Sequence, residues 1–456
     1  MSLQDVLGQL PLLKSYTHVL LCFPLADSER KPVLESLQCA TKRLLAAFPF
    51  LAGKVVHNDA GPGDSGSFTV EGFDADNVDS EREKVHEILR IKDVFDSLPA
   101  YTTFQAARAP PSMLPGPLLA PPRPSFPNTY TDESAPVLEI QASLLRGGLF
   151  LDIAAQHNVI DATGIFYIVH ILSRLMDNHT NPIPHSDLLL GNCDRRDLIP
   201  LLPHDNTLPQ EMSVFTQSRP PALSREVLAS FKWYLVHFSP EAIASIHAQA
   251  ASHPETFVEH ITSVSANDAI TAFCWQRLMK VRASQMQHDS GDQTTQITRA
   301  ADLRRAMNLS PAYMGHMVRT ANLRLPLSTV ISSSLSHLAS LLRQSVSTHT
   351  TPLAIRSYAT LISRTPDKAS FLYAGGFNPL TDFSCSSVAH MSLPRFGALG
   401  APDFVRRPTF GPLPSGMYVG PAGKKEGLDA ALCLRDWEVE GLKADKEWSR
   451  LLEFVA

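Results

Sequence analysis

The sequence predicts an α/β (α+β) fold built as two lobes of similar size. Apolar runs of strand length alternate with helical-period stretches along the whole chain. A segment rich in proline, aspartate and asparagine, 181–219, has little sustained periodicity and falls near the middle. The 456 residues are also enough for about two or three typical domains with large cores. The resulting division is an N-terminal lobe over 1–180, a crossover over 181–225 and a C-terminal lobe over 226–456. No internal repeat is visible.

Val19 to Phe23 reads as an apolar strand. Pro32 then opens a helix carried by Val33, Leu37, Leu44 and Phe48 at helical spacing. Phe48 to Val55 ends that helix and turns into a strand, and Ala60 to Gly66 is a glycine-rich turn before Phe68 to Val70. Its Gly63-Asp64-Ser65-Gly66 superficially matches a serine-protease loop. No triad order accompanies it, so a hairpin turn is the reading, and it lacks the ending of a phosphate loop. Pro110 to Pro127 is too proline-dense for a regular helix or inner strand and reads as an ordered surface crossing or a lid.

Leu144 to Ala155 is expected as one strand, followed by a tight turn and a helix through Ile165, Ile168, Val169, Leu172 and Leu175. Farther on, Trp233 to Phe238 is a strand, and Ser239-Pro240-Glu241 caps and opens a helix. Asn267 and Asp268 introduce a helix over Ala269 to Met279, and Asp436 to Phe454 reads as one closing amphipathic helix.

Composition excludes several classes. Hydrophobic residues are 44% and charged residues 19%, a globular balance, and the net charge of -5 gives no basic footprint for nucleic acid. No apolar run of about 18 residues appears, so no membrane span is expected. Met1 to Leu13 lacks the basic start and apolar core of a secretory signal. Cys22, Cys39, Cys193, Cys274, Cys385 and Cys433 form no Cys-x-x-Cys pair, which points away from a metal or disulfide framework and towards a reducing, cytoplasmic setting.

The chemistry concentrates in Gln156-His157-Asn158-Val159-Ile160-Asp161-Ala162-Thr163-Gly164. A histidine at a strand end can take a proton near neutral pH, and Gly164 lets the backbone turn closely before the helix. Four further segments accompany this one in order. They are Phe48-Pro49-Phe50-Leu51-Ala52-Gly53-Lys54-Val55; Val264 to Trp275; Ala301-Asp302-Leu303-Arg304-Arg305 with Tyr313-Met314-Gly315-His316; and Phe396 to Pro408. Together they resemble the BAHD acyltransferases, whose signature is His-x-x-x-Asp, and especially the fungal branch typified by trichothecene 3-O-acetyltransferase. The resemblance runs over nearly the whole chain. It departs where Arg395 replaces the aspartate opening the family's Asp-Phe-Gly-Trp-Gly, where Ala398-Leu399 replaces its tryptophan, and where Cys385-Ser386-Ser387-Val388 lacks the tryptophan of a Ser-Trp pair.

The resemblance implies two chloramphenicol-acetyltransferase-like lobes with mixed sheets and an interface channel. It implies acyl-CoA (acetyl-CoA by default) as co-substrate, no permanently bound cofactor or metal, and a hydroxylated fungal secondary metabolite as acceptor. It implies a monomer with His157 as general base. Asp161 would pair with Arg304 rather than form a dyad with His157, and Gly164 would serve the backbone. Ser386 and Ser387 are candidates for the oxyanion or pantetheine, or cap a loop. Ser265 and Asn267 bind phosphate or cap a helix. Arg406, Arg407, Lys424 and Lys425 are candidate cations for CoA phosphates, with a solvated turn favoured for the two lysines.

Two other readings stand beside this one. A carrier-dependent condensation enzyme shares the implied fold, but usually carries two consecutive histidines where Gln156 precedes His157 here. A small-molecule binding protein on the same scaffold fits the altered C-terminal motif, but not the retention of His157, Asp161 and Arg304.

Overall fold

The structure is a computed structural model and describes residues 3, 5–72, 85, 87–131, 134–177, 183–217, 220–285, 293–421 and 427–455. In the first half the strands are β1 (Tyr16–Pro24), β2 (Lys54–Asn58), β3 (Ser67–Glu71), β4 (Leu89–Asp93), β5 (Ser134–Pro136), β6 (Leu138–Leu145) and β7 (Gly148–Gln156). In the second half they are β8 (Phe231–Phe238), β9 (Thr294–Asp302), β10 (Val318–Pro326), β11 (Phe383–Ser387), β12 (Phe404–Arg406), β13 (Gly416–Val419), β14 (Leu428–Arg435) and β15 (Leu452–Phe454).

They form a five-stranded sheet in the order β12-β1-β7-β6-β4, a seven-stranded sheet in the order β10-β9-β11-β13-β14-β8-β15, and a small sheet β3-β2-β5. Both large sheets are mixed. β4 lies parallel to β6 and β11 lies parallel to β9 and β13, among antiparallel neighbours. β6 and β7 are buried along their whole length; β7 reads as a nearly continuous apolar run, whereas β6 still alternates through Glu139, Gln141 and Ser143.

Helices Arg30–Ala47 and Ala162–Met176 pack on the first sheet, bringing Val33, Leu37 and Leu44 into one core with Ile165, Ile168 and Leu172. In the second half, helix Ala266–Ser284 shares a core with helix Leu335–His349 through Phe273, Leu278, Leu338 and Leu342. A third core joins Leu7, Leu10 and Leu13 to Phe215, Leu303, Tyr313 and Tyr358, so the chain start is packed against the second half. β12 crosses the other way and pairs with β1 at the edge of the first sheet.

Several sequence expectations change. Leu144 to Ala155 is not one strand: Gly147, at φ 74°, turns the chain between β6 and β7. Apolar residues on both sides of a two-residue turn hide such a hairpin. Asp436 to Phe454 is not one helix but Asp436–Ala444, Lys446–Leu451 and β15. Asp445 is the reason, because its carboxylate accepts the Glu447 and Trp448 N–H groups and starts a new helix. The helix expected at Ala269 begins at Ala266, capped by Ser265. Pro110 to Pro127 is an ordered crossing with two short helical turns, Pro111–Met113 and Gly116–Leu119, and buries Leu114 and Leu119. Within 181–219, helix His185–Gly191 and a 3-10 helix, Gln210–Phe215, form. Among the described residues no helix is long and apolar enough to cross a membrane.

Candidate active site

His157 follows the last residue of β7, and its N–H donates to the Ser15 carbonyl at 2.8 Å. The turn then closes through Val159 and Ile160, whose N–H groups both bond the Gln156 carbonyl. Side chains brace it further. Gln156 donates to Tyr130 Oη and Asn158 Oδ1, and Asn158 Nδ2 donates to the Gly8 and Leu10 carbonyls. Asp161 is the N-cap of helix Ala162–Met176 and accepts the Gly164 N–H at 3.0 Å. Gly164 is required by close approach, since a Cβ there would lie 2.4 Å from the Met314 carbonyl oxygen.

Arg304 reaches Asp161 from the second half of the chain in a two-pronged pair, at 2.9 Å to Oδ2 and 2.8 Å to Oδ1. Asp161 Oδ2 also accepts the Met317 N–H at 2.9 Å. Arg304 spends its other donors on the Tyr313 and Gly315 carbonyls and on Asp302. Burial opposes its charge, but Asp161 and Asp302 outweigh it and raise its pKa. The carboxylate is thus occupied by Arg304 and two backbone N–H groups, as the pairing expectation required, and none of these bonds goes to His157.

The His157 ring lies edge-on between Phe126, with centroids 5.3 Å apart, and His316, 5.0 Å apart. Burial, then His316 and Arg407, push its pKa down to about 3 against the opposing pull of Asp161 and the Ile160 backbone. The imidazole is therefore neutral at physiological pH, with its lone pair available, while the same burial opposes the imidazolium that proton transfer would form. Burial likewise lowers His316 to about 4.

His157 opens on a cavity of about 930 Å³ lined by both halves of the chain. Phe126, Tyr373 and Tyr418 give it aromatic walls. Ser265, Asn267, Ser386, Ser387 and Arg407 all line it. Ser265 is largely committed: it caps its helix, donates to Asp268 Oδ2 at 2.7 Å and accepts from Arg343 at 2.8 Å. Arg407 donates to Ser125 Oγ and to the Phe126 carbonyl, and its guanidinium lies 4.4 Å from the Tyr418 ring centre.

Arg406 corrects the expectation. It lies outside that cavity, and its guanidinium donates to Asp429 and to the Arg108 and Ala109 carbonyls, so it is not a cation awaiting phosphate. Arg406 is the last residue of β12 and Arg407 the first beyond it, and their side chains take different directions. Lys424 and Lys425 lie outside the described residues. The loop Phe396 to Gly400 packs Phe396 on Phe23 and sets Gly397 beside Asp177, at the far end of the helix that follows His157. It does not line the cavity.

Sequence reasoning missed His316, Phe126 and the Asp268 network. Asp268 is fully buried and joins Arg299 at 2.7 Å and Arg343 at the cavity wall. Its signal was present as Ser265-x-x-Asp268, a capping box. His316 ends the Tyr313-Met314-Gly315-His316 segment, at a position where the family often has asparagine, and nothing in that segment says which ring it meets.

A neutral, partly buried histidine between two mixed sheets, with the following aspartate tied to an arginine of the other half, defines an acyltransferase of the His-x-x-x-Asp type. Comparison with known proteins resolves the class further. Residues 15–175 match the trichothecene 3-O-acetyltransferase-like N-terminal domain, and 124–448 match the Transferase family. The chain belongs to that BAHD-like family, in its fungal branch, and is an acyltransferase. It is 38% identical to the O-acyltransferase pigD of Monascus ruber, over 99% of this chain and 98% of that one. It is 28% identical to the trichothecene 3-O-acetyltransferase TRI101 of Fusarium sporotrichioides, over 99% and 96%. The crystal structure of F. graminearum TRI101 with coenzyme A and T-2 mycotoxin superposes with a TM-score of 0.88, at 29% identity and full coverage of both chains. Vinorine synthase (TM-score 0.63, 16% identity) shares the fold.

Proposed function

We propose that this protein transfers an acyl group, acetyl by default, from acyl-CoA to a hydroxyl of a fungal secondary metabolite, with His157 as general base. The observation that carries this is the neutral His157 ring, fixed at a strand end and opening on a cavity shared by both halves. The imidazole takes the hydroxyl proton as the oxygen attacks the thioester carbonyl. The C–S bond of the tetrahedral oxyanion then breaks, and the departing thiolate recovers the proton from the imidazolium. Both substrates bind before chemistry, so no acyl-enzyme forms. Ser386, Ser387 and Arg407 are the donors available to the oxyanion or to bound substrate. Ser265 and Asn267 lie along the cavity where a CoA arm would run. The coenzyme A and T-2 mycotoxin held together by the related F. graminearum enzyme support this pairing of substrates.

The six cysteines are all free thiols, which supports a cytoplasmic, reducing setting. The chain is read as a monomer, with the division at 181–225 separating its lobes.

Thiol release from acetyl-CoA tests the function, using deoxynivalenol and a set of hydroxylated aromatic polyketides as acceptors, with a no-acceptor control. Acceptor-dependent thiol release with an acetylated product is expected. Release only from an acyl carrier protein overturns the CoA assignment, and absence of any transfer overturns the enzyme.

A further inference from the structure

The His157 ring cannot hold its plane by hydrogen bonding to Asp161, because that carboxylate is taken by Arg304, Gly164 and Met317. The Ile160 backbone approaches the ring, but Nδ1 makes no hydrogen bond of full geometry, and two rings flank it. Phe126 stands at 89° to it from the proline-rich crossing, and His316 stands at 63° from the loop between β9 and β10. Each flank hangs from an arginine. Arg407 donates to the Phe126 carbonyl at 2.9 Å, and Arg304 donates to the Tyr313 and Gly315 carbonyls at 2.9 and 2.7 Å. Asp5 adds a second tie to the His316 segment, accepting its N–H at 3.2 Å and the Tyr313 hydroxyl.

We infer that His316 is a positioning residue, the second-half flank that fixes the ring plane of His157, and that the Asp161–Arg304 pair acts on the chemistry through it. This rests on the reading of His157 as base. His316 is fully buried, and its ring nitrogens meet the backbones of His157 and Val318 without a hydrogen bond of full geometry. A buried polar ring so poorly satisfied is a costly filler, which its contact with the base accounts for. A small tilt of the base matters because a misplacement of about 1 Å can cost about 10²-fold in rate.

The test uses the full chain with acetyl-CoA and deoxynivalenol, comparing His316→Ala, which removes the ring, with His316→Phe, which keeps one. The expected result is a kcat loss of about 10- to 100-fold in His316→Ala. Its KM for acetyl-CoA should stay within about threefold of wild type, because the CoA arm is untouched. His316→Phe should restore kcat to within about threefold, a rescue that loss of folding would not give. Crystal structures of both variants read the flank without turnover: one His157 orientation in His316→Phe, several in His316→Ala. A His316→Ala protein with wild-type kcat, or with His157 in its single orientation, overturns the assignment. If wild type fails to turn over deoxynivalenol, that result bears on the choice of acceptor, and the crystal comparison still decides the role of His316.

Discussion

At the residue scale the controlling fact is a proton balance. His157→Ala should leave a folded protein, seen by circular dichroism, while thioester turnover falls by about two to four orders of magnitude. The pH profile carries a sharper prediction. An ordinary histidine base, near 6.5, would be about nine-tenths protonated at pH 5.5 and activity would fall roughly tenfold there. With His157 held at about 3, the neutral form persists, so kcat/KM at pH 5.5 should stay within about twofold of its value at pH 7.5. A descending limb centred near 6.5 would contradict it. Stability moves the opposite way. Between about pH 6.5 and 4 the unfolded chain binds protons at both histidines while the folded one binds neither, so stability falls as the pH drops. Each histidine contributes about 1.4 kcal/mol per pH unit in that window. Thermal unfolding at pH 7 and pH 5 measures this, and the drop should be shallower in His316→Phe.

At the element scale the strand–turn–helix around His157 is pinned by a pair whose partners lie 143 residues apart. Asp161→Ala and Arg304→Ala should each cost about 3–5 kcal/mol by stranding a buried charge, and the double mutant should lose less than the sum. Calorimetry of the four proteins decides it, and additive losses would refute the coupling. This pair is legible only through the resemblance of the Asp161 and Arg304 segments to the family's, because the residues alone leave a His157–Asp161 dyad open. Other features are not. The β6–β7 hairpin is hidden because the apolar residues Leu144, Leu145, Leu149, Phe150 and Leu151 run straight through its short Arg146-Gly147 turn. Arg406 and Arg407 look equivalent in sequence, and only the end of β12 between them separates the one that meets Asp429 from the one that reaches the cavity. Phe126 and His316 escape notice for a different reason: ring contacts between segments far apart leave no local pattern.

At the scale of the whole molecule the two large sheets are joined away from the cavity by a charged cluster around Asp429. This carboxylate accepts from Arg406 at 2.7 Å and Arg108 at 3.0 Å, and lies 2.8 Å from His237 Nδ1. Arg406 sits on β12 of the first sheet, whereas Asp429 and His237 sit on β14 and β8 of the second, so the cluster bridges the sheets. Its position also sets the cavity, because Arg407, the next residue along, holds the Phe126 flank. Burial opposes the Asp429 charge, but Arg406 and its other partners hold its pKa below the usual carboxylate range, so it is ionised at neutral pH. Asp429→Ala would leave two arginines facing each other with no anion between them. The expected cost is about 3–5 kcal/mol. For a chain of this length, unfolding entropy near 2.1 cal/mol/K per residue makes that a fall in Tm of about 3–5 °C. Adding Arg406→Met should recover part of the loss, since one stranded charge goes with it. Differential scanning calorimetry at pH 7 reads both changes, and an unchanged Tm in Asp429→Ala would show that the sheets are held by their apolar cores alone.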